Sequence, residues 1–490
     1  MVFNSLVFIV FFAVVVILHY CPFPWKIKKI NLLTASYIFY AAWNPPFIIL
    51  LWLSTVVDFY MASLMGIESN QKRRKLYLIV SLVLNLGMLA YFKYGSFLLD
   101  NFVALLSGFG VEYHALPLDI ILPVGISFYT FQTLSYTIDV YRRTIPPEKS
   151  FLDFALFVTF FPQLVAGPIV RPQDLIPQFK TPHYATRKMF VGGIALMILG
   201  LFMKVVVADN LLAPVSDLIF GLPMPVDALD AWTGVLAFSG QIFCDFAGYS
   251  TCAIGAAQCL GFGIIENFRY PYGAIGFSDF WRRWHISFSS WLRDYLYIPL
   301  GGNRMGSAPT YANLMITMLL GGLWHGASWT FVVWGGLHGI YLVIERLIVG
   351  SRKPKPLPER QLSAVLVRAM WIPVTMKNVR VLLGILFTFF LVNITWVFFR
   401  SADFGQASRL LAAMFGLIPN AARMATSHDI CKVMVVMAAI VLIHWRMRDK
   451  DLATVIQNTS WLIVAAIWTI MSVALILSQQ TGDSFIYFQF

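Results

Sequence analysis

Residues 280–302 read F-W-R-R-W-H-I-S-F-S-S-W-L-R-D-Y-L-Y-I-P-L-G-G, and residues 321–329 read G-G-L-W-H-G-A-S-W. Two histidines, His285 and His325, stand in these stretches, each among tryptophans, phenylalanines and glycines. In the first stretch Trp281, Trp284, His285, Phe288, Trp291, Leu292 and Tyr295 recur at helical spacing, which predicts one face of a helix. Arg282, Arg283, Ser290, Arg293 and Asp294 take the other face. An aromatic face backed by arginines suits a helix lying in the membrane interface, stopped by Pro299 and Gly301-Gly302. The second stretch ends an almost wholly apolar run, Leu314–Leu323. A histidine there falls at or below the headgroup level, where ionisable groups are costly and usually mark a function. The small residues Gly321, Gly322 and Gly326 leave room for a substrate or a neighbouring backbone.

The rest of the composition agrees with a membrane setting. Of 490 residues, 59% are hydrophobic and 12% charged, and the formal net charge is +12. Mean hydropathy is +0.72. These values indicate an all-α polytopic membrane protein. The long apolar runs lack the alternation of a β-barrel. The positive charge first suggests basic cytoplasmic loops, and nucleic acid is a poor reading. Cys21, Cys244, Cys252, Cys259 and Cys431 have no metal-ligand spacing and read as small buried hydrophobes. No Walker A loop, H-E-x-x-H or G-x-S-x-G occurs, so metal and ATP chemistry have no support.

Apolar runs predict about twelve crossings: 2–20, 30–42, a third ending at Met65, 76–99, 118–140, 189–208, 232–260, 311–330, 331–348, 381–399, 432–443 and 461–477. Residues 151–170 are apolar but carry Pro162, Gly167 and Pro168 and are flanked by basic residues. They read as a re-entrant segment if protein covers the broken backbone, with a kinked full span as the alternative. Lys/Arg clusters near 26–29, 72–75, 142–143, 171–188, 282–304, 346–360 and 446–450 fall on one side by crossing count. That side is expected to be cytoplasmic, which puts both termini outside. Arg400, Arg409 and Arg423 fall in an expected outer loop against this rule.

Several side chains carry possible chemistry. His325 suits a general base, since imidazole takes and returns a proton near neutral pH; the alternative is a histidine bonded to a backbone carbonyl. His285 is a catalytic candidate or an amphipathic anchor. His338 reads as packing, while His19, His114, His183, His428 and His444 read as solvated. Asp245, inside an apolar run, requires a partner or a proton. Lys204 is placed to pair with an intramembrane acid or to snorkel.

Six stretches together resemble the membrane-bound O-acyltransferase (MBOAT) family, in its bacterial alginate O-acetylation branch. They are S-F-Y-T-F-Q-T-L-S-Y-T-I-D-V-Y-R (127–142), F-P-Q-L-V-A-G-P-I-V-R (161–171), F-C-D-F-A-G-Y-S (243–250), the two stretches quoted first, and F-I-Y-F-Q-F (485–490). The resemblance implies one integral-membrane domain over 1–490, with core motifs in 120–345 and C-terminal helices with the terminal motif in 380–490. It implies a cone of about 11–12 transmembrane helices, with re-entrant and interfacial helices, around a central funnel. His325 matches the family's catalytic histidine, His285 its second active-site position, and Asp245 the acid of a D-F-S-G-Y-S-D-M motif. Here Ala247 and Thr251-Cys252 depart from that motif, which puts a second acid in doubt.

The implied function is transfer of an acyl group, acetyl above all, across the bacterial inner membrane for O-acetylation of an extracytoplasmic polysaccharide. No bound cofactor is expected, and acetyl-CoA is the expected donor. Arg282, Arg283, Arg293 and Arg304 are the candidates for steering its phosphates. Tyr487 is a candidate acyl relay, with an aromatic anchor as the alternative. A periplasmic partner with a serine nucleophile would complete the transfer. D-alanyl transfer from a carrier protein, non-enzymatic transport of an acylated intermediate, and a structural scaffold are the competing readings.

Overall fold

Helices make up the fold because most of this chain is apolar, and a backbone in lipid must satisfy its own hydrogen bonds. The computed structural model describes residues 1–116, 118–350, 376–419 and 421–478. In chain order the helices are α1 (Leu6–Tyr20), α2 (Trp25–Ala41), α3 (Ile48–Ile67), α4 (Gln71–Gly108), α5 (Ile126–Arg142), α6 (Phe151–Thr159), α7 (Phe161–Leu164), α8 (Pro172–Lys180) and α9 (Arg187–Leu201). A π-helical segment, Phe202–Leu212, joins α9 to α10 (Ala213–Gly221). Then come α11 (Ala228–Cys259), α12 (Phe277–Trp281), α13 (Ile286–Leu292), α14 (Ser307–His325) and α15 (Trp329–Val349). The remainder are α16 (Met376–Arg400), α17 (Phe404–Met414), α18 (Ser427–Met447), α19 (Leu452–Gln457) and α20 (Trp461–Leu477). Among the described residues the one β-bridge joins Val226 to Ala422.

Among the described residues, six helical units are long and apolar enough to cross a bilayer: Pro45–Ile67, Gln71–Gly108, Arg187–Gly221, Trp329–Ile348, Val379–Arg400 and Ser427–Met447. α1 and α20 are shorter apolar helices. The chain is a multi-pass, all-α membrane protein. The apolar runs at 30–42 and 118–140 fold as α2 and α5, each 17 residues long. α5 is enclosed by protein along nearly its whole length, so its apolar and hydroxyl side chains face neighbours rather than lipid. The segment 151–170 breaks as its prolines and glycine suggest. α6 has nine residues, about 14 Å of helix against a hydrocarbon core of about 30 Å. Residues 153–172 are all buried, so protein satisfies the interrupted backbone.

Small residues set the closest helix contacts. Gly193 of α9 faces Gly255 of α11, and Gly200 faces Gly248. A Cβ at Gly193 would stand 2.6 Å from the Gly255 carbonyl oxygen, and one at Gly248 would stand 2.7 Å from that of Gly200. Backbones in a membrane approach this closely only where the side chain is absent. The π-helical segment lies just beyond that contact. Its i→i+5 register places Lys204 and Asp209 together, and Lys204 Nζ lies 2.8 Å from Asp209 and 2.7 Å from Asp245 of α11. Asp245 thus has the intramembrane cation that its apolar setting requires.

A second buried polar cluster joins α3, α4 and α5. Asp58 accepts hydrogen bonds from Ser81 Oγ (2.6 Å) and Asn85 Nδ2 (2.9 Å), while Ser54 and Thr133 donate to Asn85 Oδ1. These bonds fix the register of the long α4. Two of the three arginines that broke the charge rule find acidic partners. Arg400 pairs with Asp217 at 2.8 Å and Arg423 with Asp227 at 2.9 Å, so acids of the 209–230 region balance them locally. Three sequence expectations are corrected. His19 and His444 are buried, not solvated, because aromatic rings of other segments close over them. Cys431 is exposed, because it lies in the first turn and a half of α18, outside its packed face.

Candidate active site

The predicted single helix over 281–295 does not form. α12 ends at Trp281, and His285 adopts a left-handed backbone, φ 44° and ψ 55°, before α13 begins. Residues 293–297 then widen into a π-helical turn. A non-glycine residue in this conformation costs on the order of 1–3 kcal/mol and persists only where its surroundings hold it. Here the loop after α11 does so: Ile286 N–H donates to the Asn267 carbonyl at 2.8 Å, and Arg269 N–H to the Arg283 carbonyl at 2.9 Å. The aromatic face does not lie against lipid. Trp284 and His285 are both 0% exposed, so the aromatic face is enclosed by protein.

Two aromatic cores meet at the histidines. One contains Phe246, Phe288 and Trp324; the other contains Trp284, Trp334, Trp396 and Phe399. His325, 2% exposed, contacts Phe288 and Trp324 of the first and Trp334 and Phe399 of the second. His285 packs edge-on against Phe246 with ring centroids 4.6 Å apart. The two imidazole centroids are 6.4 Å apart. Residues forty positions apart in sequence therefore share one seam.

His325 is the last residue of α14, and its placement depends on a residue that the sequence reading passed over. Lys93 of α4 sends Nζ to the carbonyls of Trp324 (2.7 Å) and His325 (3.0 Å), and the neighbouring Tyr94 hydroxyl donates to Leu323 (2.9 Å). The last carbonyls of a helix have no intrahelical partner, and a cation suits that end of the dipole. The available signal was a lone lysine inside the apolar run 76–99. Lys93→Met removes a charged donor from two carbonyls, about 2 kcal/mol of local stabilisation. It should lower acyl transfer about tenfold or more at equal membrane levels, and Lys93→Arg should recover most of it. Unchanged transfer by Lys93→Met would show that α14 keeps His325 in place unaided.

Other predicted residues lie around this seam with different duties. Arg283 is buried and committed to Asp279 (3.0 Å), Asp449 (3.2 Å) and the Arg448 carbonyl (2.6 Å). Burial acts to raise the Asp279 carboxyl. Arg283, the Ile275 N–H and Arg448 outweigh it and hold Asp279 below the ordinary carboxylate range. Arg282 pairs with Asp279 at 3.4 Å and Arg293 with Asp294 at 2.7 Å; both arginines are exposed, as is Arg304. His338 is packed by Phe280, Trp281 and Trp334 and meets Thr395 Oγ1 at 3.0 Å. Asp245 serves the Lys204 cluster, while its neighbour Phe246 reaches His285. Tyr487 lies outside the described residues. Among those described, no group of three or more His, Cys, Asp or Glu is arranged to hold a metal.

A cleft of about 350 Å³ opens beside the chain just after His325. Its walls include Asp100, Asn101, Ser328, Trp329 and Asp403. Asn101 Oδ1 accepts from the Trp329 indole at 2.8 Å and steadies that ring at the rim.

An all-helical, multi-pass membrane protein with two buried histidines at the seam of its cores is the class that this fold and site define. The chain belongs to the membrane-bound O-acyltransferase family, whose model matches residues 142–387. It is 38% identical to a probable alginate O-acetylase of Pseudomonas putida over 512 aligned residues, covering all of both chains. It is 42% identical over 418 residues to a probable alginate O-acetylase of Azotobacter vinelandii, covering 85% of this chain and 78% of that one. Identity to a peptidoglycan O-acetyltransferase of Helicobacter pylori is 37%, over 79% of this chain and 74% of that one. The protein is a membrane-bound O-acyltransferase.

Proposed function

We propose that this chain moves an acetyl group from cytoplasmic acetyl-CoA toward an extracytoplasmic polysaccharide, with His325 as base and His285 as its companion in the active site. The observation that carries this reading is the buried pair of imidazoles, 6.4 Å apart, brought from separate segments to the end of α14. A hydroxyl oxygen of the acceptor adds to the thioester carbonyl carbon, and its proton passes to the imidazole. The C–S bond then breaks, the sulfur keeps the electron pair, and it takes that proton to leave as a free thiol. The products are an O-acetyl ester and CoA. Burial among aromatic rings excludes water that would compete with the acceptor.

The polarity follows from charge. The basic clusters of the chain mark the cytoplasmic side of the inner membrane, and both termini then face outward. Arg282, Arg293 and Arg304 present exposed charge for the donor phosphates, while Arg283 is tied into the fold. The cleft at Trp329, lined by the residues that follow His325 in the chain, is the candidate acceptor entry. The relatives' names point to alginate or peptidoglycan, which supports a polysaccharide acceptor here; its delivery through a periplasmic serine acetyltransferase is part of the same proposal. Tyr487 as an acyl relay belongs to the same proposal.

The full chain in nanodiscs, given radiolabelled acetyl-CoA and mannuronate oligomers, should release CoA and label the oligomers or the protein itself. Release of CoA should disappear with His325→Ala. No donor turnover from acetyl-CoA, with turnover from an aminoacylated carrier protein, would overturn the acetyl reading.

A further inference from the structure

We infer that Asn267 is a positioning residue that holds His285 as the Nδ1-protonated tautomer, so that Nε2 presents a lone pair to the acceptor hydroxyl. This rests on the acyl-transfer reading above.

Asn267 is buried, 1% exposed, in the loop after α11. Its Oδ1 faces three groups: the backbone N–H of Ser287 (3.2 Å), the Ser287 hydroxyl (2.9 Å) and His285 Nδ1 (3.2 Å). Its Nδ2 donates to Ser250 Oγ at 3.1 Å. A backbone N–H can only donate, so the amide atom facing Ser287 must be the oxygen. An amide oxygen can only accept, so His285 Nδ1 must carry the proton. The neutral ring then has its lone pair on Nε2. Among the described residues Nε2 makes no hydrogen bond.

The consequence is chemical. A neutral His285 in this tautomer accepts a hydrogen bond at Nε2 and cannot donate one there to a developing oxyanion. It therefore accepts a hydrogen bond from the hydroxyl and orients it for deprotonation by His325. Asn267 also holds the strained turn, since its carbonyl takes the Ile286 N–H at 2.8 Å. One residue thus fixes both the ring's proton and the backbone that aims it, with Ser250 of α11 fixing Asn267 in turn. His285 is walled by Phe128, Phe246, Phe268, Phe288 and Trp324. His325 is the titratable group among its described ring contacts, with Lys93 behind it on the His325 carbonyl.

The test compares Asn267→Ala and Asn267→Asp in the full chain in nanodiscs, with acetyl-CoA as donor and mannuronate oligomers as acceptor. Asn267→Ala should lower kcat about 10²-fold, the scale of misorienting a reacting group, with KM for acetyl-CoA little changed. Asn267→Asp keeps an oxygen for all three donors and should restore much of the rate. Its carboxylate favours the imidazolium, so the acidic limb of the pH–rate profile should move up by about one unit or more. A structural role alone would lower protein levels and leave the profile in place; that result, or an unchanged kcat in Asn267→Ala, overturns the inference. A direct readout independent of activity is histidine nitrogen NMR, with His285→Gln assigning the signal. A His285 protonated at Nε2 would refute the tautomer. Wild type inactive with acetyl-CoA would sink the acetyl reading instead and leave the NMR result to judge Asn267.

Discussion

His325→Ala should reduce polymer O-acetylation in cells by 10²-fold or more, about the contribution of a positioned acid–base group, with the protein still present in the membrane. The expectation rests on placement. His325 ends α14, Lys93 and the two aromatic cores hold it, and His285 shares its seam. Truncating a buried imidazole also leaves a cavity, so His325→Gln, closer in volume, is the companion variant. Both should be inactive, and the glutamine variant should match wild type in thermal stability within a few degrees. Retained acetylation in either variant would reduce His325 to a packing residue and favour a transporter that carries an already acylated intermediate.

The second large effect concerns folding. Lys204→Met should be far more damaging than Asp245→Ala. Lys204 is the ammonium that Asp209 and Asp245 share, at 2.8 and 2.7 Å. Removing one acid leaves an ion pair. Removing the lysine takes the shared counter-charge from two carboxylates in an apolar setting, a change worth about 3–5 kcal/mol for a buried pair. Lys204→Met should therefore accumulate poorly in the membrane and melt well below wild type in a fluorescence-detected size-exclusion assay. Asp245→Ala should accumulate and retain a fraction of activity, because Lys204 keeps Asp209 as its partner and Phe246, which packs on His285, is unchanged. An Asp245→Ala protein that is stable and wholly inactive would contradict this and place the carboxylate in the chemistry.

The Lys204 cluster shows what is gained by reading burial and charge together. An aspartate in an apolar run demanded a partner, and a mid-span lysine was the available cation. The pairing was legible because an unpaired charge in a membrane is prohibitively unfavourable. The same argument, applied to every ionisable residue in an apolar run, would have found Lys93. It was passed over because its partners are backbone carbonyls, which no sequence pattern displays. Asn267 carried no signal at all: it is a neutral side chain in a loop, and its role exists only where Ser250, His285 and Ser287 converge.

The stretch at 281–295 failed for a different reason. Its apolar spacing fits one continuous helix, but periodicity cannot see a backbone reversal paid for elsewhere. The left-handed turn at His285 is held by hydrogen bonds from residues 267–269, and a local pattern holds no record of them. The arginines misled in the same way. Four were grouped as candidates for steering donor phosphates, yet Arg283 is buried against Asp279 and Asp449, the latter 166 residues away.

By itself the sequence determined the class of molecule, the family, the two histidines and the break at 151–170, because each is written in composition, local motif or proline and glycine placement. Only the tertiary structure decided that the histidines meet, that an enclosed turn interrupts the expected helix at His285, that Lys93 caps α14, and that Asn267 sets the proton on His285. Hydrophobicity and helix period act over a few neighbouring residues and can be read in order. Hydrogen bonds between side chains and distant carbonyls depend on where whole helices come to rest.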